Sequence, residues 1–150
     1  MGQRRMLFSV GDAAQWLRCG VQPRVAGRAV TKVVVDSRGD CEGALFFGLR
    51  GQHYDGGEFA EEALKKGAVA AVVERRWARK LKDAPVLAVK DARQALGALA
   101  SAYLAHLRAK VLAVTGSCGK TTTKEMAALM PVSYTHLRAH ETEADLVCRL

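Results

Sequence analysis

The spacing of apolar residues changes several times along this chain, and each change predicts an element. Ser9 stands three residues before Asp12, and Ala13, Ala14, Trp16 and Leu17 follow at helical spacing, which predicts a capped first helix ending near Gly20. Val30–Val35 is a β-branched run that stops at the polar turn Asp36-Ser37-Arg38-Gly39, and Ala44–Leu49 reads as a second strand. Gly51–Gly57 reads as a loop. Glu58–Lys66 reads as a helix with Phe59, Ala63 and Leu64 towards a core, and Gly67 is placed to end it.

Val69–Val73 and Val86–Val89 are continuous apolar runs, the pattern of strands covered on both faces. The basic stretch Arg75–Lys82 between them reads as an exposed helix or loop. Asp91 caps a long helix reaching about Leu107, in which Ala95, Leu99, Ala102, Tyr103 and His106 recur at three- and four-residue steps. Val111–Val114 is again a buried-type strand, and it runs directly into Thr115-Gly116-Ser117-Cys118-Gly119-Lys120-Thr121-Thr122-Thr123. The alternation predicts an α/β chain. The expected organisation is a small N-terminal mixed α/β domain over residues 1–90, a linking helix over 91–109, and a strand, glycine loop and helix start over 110–130. The resemblance described below implies that this last stretch is the first strand, P-loop and truncated helix of a P-loop ATPase domain.

A glycine loop between a strand and a helix is suited to phosphate. Gly116 and Gly119 let the backbone approach the anion, and the helix N-terminus aims its amides and dipole at it. Lys120 can reach outer phosphates as a point charge, and the Thr121 hydroxyl can join the coordination of magnesium. Two residues separate the glycines where the general P-loop pattern has four, and Val114 stands where the outer glycine would fall.

The shorter string from Thr115 to Glu125 resembles the ATP loop of the Mur ligase family. In the sister ligase that adds the third residue of the peptide, Thr-Asn usually stands where Ser117 and Cys118 stand. That difference, with Lys124-Glu125, makes the string most similar to the branch that joins D-alanyl-D-alanine to UDP-MurNAc-tripeptide. Upstream, Asp36-Ser37-Arg38, Gly43 to Gly51, Tyr54-Asp55-Gly56, Phe59 and Gly67-Ala68 fall in the order of the family's N-terminal domain.

The resemblance covers about the first 130 residues and implies an enzyme: an ATP-dependent ligase working through an acyl phosphate. It implies that 1–90 binds the UDP end of the substrate through Asp36, Ser37, Arg38, Arg50, Gly51 and Asp55. Arg38 and Arg50 offer forked donors to a diphosphate, and Ser37 and Asp55 can bond uracil or ribose. It implies ATP on Thr115, Gly116, Ser117, Cys118, Gly119, Lys120, Thr121 and Thr122, Lys120 as the catalytic cation, and magnesium on Thr121. The family commonly has histidine after the Asp-Gly pair, where this chain has Gly57. Alternatives are another Mur ligase, such as the one acting on UDP-MurNAc-dipeptide, and a stand-alone uridine-nucleotide-binding module.

Composition narrows the partners. The formal net charge of +8 would suit a nucleic-acid binder, but the 23 Lys and Arg are spread along the chain, without a basic recognition helix or an aromatic platform. Cys19, Cys41, Cys118 and Cys148 have neither zinc-finger spacing nor a disulfide framework, and His53 and His106 read as surface residues. No apolar run follows Arg4 and Arg5 as in a signal peptide, and none is long enough to span a bilayer. The expectation is a cytoplasmic monomer acting on small molecules, with no nucleic-acid or membrane partner.

Pro131 would break the helix after the glycine loop. One codon choice for 132–142 reproduces a transposase-type sequencing adaptor, and one for 145–150 the segment that follows its index. Residues 131–150, with His136 and His140, are therefore expected to be non-native and carry no functional argument.

Overall fold

The computed structural model describes residues 6–52, 54–81, 83–108, 115–116 and 118–129. It divides into two units, Met1–Ala109 and Lys110–Leu150. The expected strand Val111–Val114, Ser117, His53 and the tail from Pro131 lie outside the described residues.

In the first unit a short strand β1 (Phe8–Ser9) leads into helix α1 (Val10–Trp16). Ser9 caps that helix as expected: its hydroxyl accepts from the Asp12 amide at 3.1 Å, and the Asp12 carboxylate accepts from the Ser9 amide at 2.8 Å. The helix stops sooner than the expected end near Gly20. Arg18 turns into the left-handed region at φ 50°, while the amides of Arg18 and Cys19 bond back to Gln15 and Ala14. A single helical turn, α2 (Pro23–Ala26), was not foreseen.

Val30–Val35, expected as one strand, is two. β2 (Ala29–Val30) pairs antiparallel with β1, and β3 (Lys32–Val34) pairs parallel with β4 (Ala44–Phe47). The change of sheet happens at Thr31, whose amide and hydroxyl both donate to the Gly43 carbonyl, at 2.9 and 3.2 Å. After β4 a 3-10 turn (Gly56–Phe59) precedes α3 (Ala60–Lys65), so the expected helix from Glu58 begins late. Its buried residues are Gly57, Ala60 and Ala63, and Leu64 packs half-buried against the same core; Phe59, expected inward, is exposed because the tighter 3-10 turn rotates it outward. Strand β5 (Ala70–Glu74), helix α4 (Arg75–Ala78), strand β6 (Val86–Val89) and helix α5 (Ala92–His106) complete the unit.

The four parallel strands stand in sequential order, β3-β4-β5-β6. Their side chains alternate between two cores. Leu45, Phe47, Ala70, Val72, Leu87 and Val89 pack with α1 and α5, whereas Phe46, Ala71 and Val73 pack with Ala60 and Ala63 of α3 and with Trp77 of α4. Covering both faces explains why these strands read as unbroken apolar runs. Helix α5 is part of this packing, with Ala92, Ala95 and Leu99 buried and the Tyr103 ring 5.5 Å from that of Phe8. Among the described residues no helix is long and apolar enough to cross a membrane.

The second unit shows helix α6 (Lys120–Leu129), entered from Gly119.

Candidate functional site

Parallel strands in one sheet deliver their C-terminal ends to one edge, where ligands of open α/β sheets bind. Both polar clusters singled out in the sequence emerge there, from the adjacent strands β3 and β4.

Beyond β3, Asp36 and Arg38 form a closed pair. The Arg38 Nε donates to both Asp36 oxygens at 3.0 Å, its Nη2 donates to Oδ2 at 2.7 Å, and its amide donates to Oδ1 at 2.9 Å. Those bonds draw the exposed Asp36 carboxyl down to about 2. Ser37 between them is buried, at 4 % exposure. Its carbonyl accepts from Lys66 Nζ at 2.8 Å, and its hydroxyl helps hold the Glu62 carboxyl below the usual carboxylate range, behind the larger effect of Lys66. Ser37 thus anchors the turn to the end of α3, and Arg38 stands outermost.

Beyond β4, Arg50 and Asp55 meet in an isolated antiparallel bridge, and the Gly51 amide closes the loop on the Tyr54 carbonyl at 2.8 Å. Arg50 is exposed and makes no ion pair among the described residues. Asp55 is held twice: Oδ1 accepts from the Gly57 amide at 3.0 Å, and Oδ2 is 2.5 Å from Arg76 Nη2. Arg76 also reaches Glu74 with Nε at 3.0 Å, so it fastens the end of β5 to the Asp55 loop. Sequence reasoning left Arg76 inside an undifferentiated basic stretch. Its place directly after a covered strand, like that of Asp36 and Arg50, is the signal that could have found it.

The same loop explains Gly57. A β-carbon there would lie 2.1 Å from Trp77 Cδ1, so the indole fills the space a side chain would need. Lys80 Nζ sits 4.2 Å above that ring, and Trp77 Nε1 is buried without a hydrogen-bond partner among the described residues. Trp16 also packs, as expected, with its ring 5.7 Å from that of the exposed His106.

In the second unit the loop residues Thr115, Gly116, Cys118, Gly119, Lys120, Thr121 and Thr122 are all exposed. Gly119 adopts φ 79°, which favours glycine, and nothing lies within 4 Å of where its β-carbon would be. Lys120 is the first residue of α6, and its ammonium donates to the Gly116 carbonyl across the loop. The Thr123 amide bonds the Gly119 carbonyl at 2.9 Å. The helix therefore opens with Lys120 and the exposed Thr121, Thr122 and Thr123, and its first amides lie outside the intrahelical ladder. Among the described residues no cluster of His, Cys, Asp or Glu is arranged to hold a metal ion.

Comparison with known proteins gives a consistent answer. The family model described as "Mur ligase family, catalytic domain" matches residues 29–104. The UDP-N-acetylmuramoyl-tripeptide–D-alanyl-D-alanine ligase of Haemophilus influenzae is 39% identical over 99 residues, 66% of this chain and 21% of that protein. The UDP-N-acetylmuramoyl-L-alanyl-D-glutamate–2,6-diaminopimelate ligase of Parasynechococcus marenigrum is 40% identical over 108 residues, 68% of this chain and 22% of that one. A crystal structure of MurF from Acinetobacter baumannii superposes with a TM-score of 0.66 at 33% identity, over 81% of this chain and 26% of that chain. The chain thus spans about a fifth to a quarter of the length of these relatives. The family match runs from β2 through the whole parallel sheet and into α5, and on that ground this chain belongs to the Mur ligase family.

Proposed function

We propose that this chain is the front end of a ligase that joins D-alanyl-D-alanine to UDP-MurNAc-tripeptide. The tripeptide's terminal carboxylate takes the outer phosphoryl group of ATP and releases ADP; the incoming amine then displaces phosphate from the acyl phosphate. Relatives named as D-alanyl-D-alanine ligases, 39% and 43% identical to this chain, support this reading. Residues 1–90 hold the uridine diphosphate, with Arg50 and Arg38 towards the phosphates and the Asp55 loop beside the nucleoside.

The observation that carries the reading is Gly119 in its left-handed conformation immediately before Lys120 at the head of α6. That geometry leaves the backbone open to an anion and sets a lysine beside it. The donors fit: an ammonium suits an outer phosphate, and the Thr121 hydroxyl is a hard oxygen of the kind magnesium accepts. Magnesium supplies charge neutralisation on the phosphates. The chain's own residues position the triphosphate through backbone amides and Lys120, with no protein nucleophile needed.

The test separates the two sites. Titration with UDP-MurNAc-tripeptide should saturate the 150-residue chain and weaken about tenfold or more in Arg50→Ala. In a ligase completed with the remaining portion of a relative, Lys120→Ala should remove ATP-dependent ligation by a factor of about 100 or more and leave UDP-substrate binding intact. Retained turnover would overturn the assignment of Lys120. A second reading has specific support, because relatives at 40% identity are diaminopimelate ligases by name. Offering diaminopimelate and D-alanyl-D-alanine to the completed enzyme, each with its own UDP-muramoyl peptide, decides between them.

A further inference from the structure

At the C-terminal ends of β5 and β6, on the side covered by α1 and α5, lies a cavity of about 500 Å3 lined by none of the residues assigned above. That volume is ordinary for a small-molecule site. Arg18, Arg75 and Lys90 line it, and among the described residues their side chains make no hydrogen bond or ion pair. The carboxylate in the wall, Asp91, is turned onto its own helix, where Oδ1 accepts the amides of Arg93 and Gln94 at 2.8 and 3.0 Å. Three unmatched cations therefore share a space with one committed anion.

Apart from Gln94, the rest of the wall is made of apolar residues and Cys19. Trp16 lies in it with Ala95, and the Trp16 ring is fixed by Phe8 at 5.3 Å and Tyr103 at 6.4 Å. Arg75 and Arg76 are consecutive yet part company: Arg76 goes to Asp55 and Glu74, while Arg75 lines the cavity. Arg18 lines it from the left-handed residue that ends α1, a position where glycine is the usual choice.

We propose that this cavity is a second anion site, for a small organic phosphate or carboxylate whose flat or aliphatic body lies against Trp16 while its head meets Arg75 and Lys90. It is independent of the uridine-nucleotide reading, since it shares no residue with that site. Because the cations are exposed, binding weakens as salt rises.

Phenyl phosphate is the probe, titrated into the 150-residue chain while the Trp16 indole N–H is followed by NMR and identified from its loss in Trp16→Phe. The expected result is a saturating shift whose affinity falls about tenfold or more in Arg75→Gln/Lys90→Gln. It should hold in Lys65→Gln/Arg79→Gln, which removes the same charge elsewhere. All four residues are exposed, and an unchanged spread of amide signals confirms that each variant folds. No shift at Trp16, or equal affinity in both double variants, would overturn the site. Inorganic phosphate binding as tightly as phenyl phosphate would overturn the apolar half of the proposal.

Discussion

Strand β4 and the first turn of α6 have nearly equal lengths of chain and opposite environments. Ala44, Leu45, Phe46 and Phe47 are at most 1% exposed, walled by helices on both faces of the sheet. Thr121, Thr122 and Thr123 are exposed, and Met126 further along is 61% exposed. Burial defines the first region. The second is shaped by local geometry: a left-handed Gly119, a lysine reaching back to Gly116, and one helical bond from Thr123. A ten-residue helix such as α6 is below the roughly 12–15 residues at which isolated helices become stable. Substitutions in the two regions should therefore act on different observables.

The largest effect tests that division directly. Phe46→Ala removes a fully buried ring from the α3 and α4 side of the sheet and should cost about 3–5 kcal/mol. Against the roughly 5–15 kcal/mol typical of a whole domain, that is enough to unfold much of the population. Lys120→Ala, by contrast, should move stability by less than about 0.5 kcal/mol. Urea unfolding followed by circular dichroism measures both, and similar losses for the two variants would break the comparison.

The next effect lies where the packed sheet meets the candidate site. Gly57→Ala drives a β-carbon into Trp77 Cδ1 and should cost about 1–3 kcal/mol through displacement of the indole. If the collision is the cause, Trp77→Ala should suppress that cost, and the double variant should be more stable than the sum of the singles predicts. Strict additivity in a thermal-unfolding cycle would show that Gly57 is required for another reason. Smaller again is Ser9→Ala, which removes one half of the capping box and should cost about 1 kcal/mol by the same measurement. A loss as large as that of Phe46→Ala would mean that local capping, and not burial, holds the first unit together.

The particular elements show why some of this was legible from sequence. The covered strands and both caps were readable because their causes are local: unbroken apolar runs, and an acceptor placed just before a helix. The division at Thr31 was not, because it depends on the Gly43 carbonyl across a loop. Nor was the outward turn of Phe59, since helical spacing assumes an α-helix where the chain makes a tighter 3-10 turn. At the candidate site, Asp36, Arg50 and Asp55 were singled out by the family resemblance and by the chemistry of their side chains, not by any pattern of spacing. The partner of Asp55 was not: Arg76 reaches it from the start of α4, just past β5, and no spacing rule connects residues brought together by neighbouring parallel strands.

The smallest effect sharpens what the exposed edge of the sheet can do. The Asp36 carboxyl falls from 3.8 to about 2, first because of its side-chain bonds to Arg38 and then because of the Arg38 amide. A depressed carboxylate stabilises the folded state above its unfolded pKa and loses that contribution as pH falls through the folded value. The Asp36–Arg38 pair should therefore be intact at neutral pH and open as pH drops from 3.8 towards about 2. A carbon-detected NMR titration of the Asp36 carboxyl should give that midpoint, and Arg38→Ala should move it up towards 3.8. Because the pair is exposed, global stability should hardly respond. The consequence concerns ligand binding: a diphosphate recruiting Arg38 must first compete with Asp36 for the guanidinium fork, so Asp36→Asn should tighten diphosphate binding. A midpoint near 3.8 in the unaltered chain would mean instead that Arg38 meets its anion without giving up a partner.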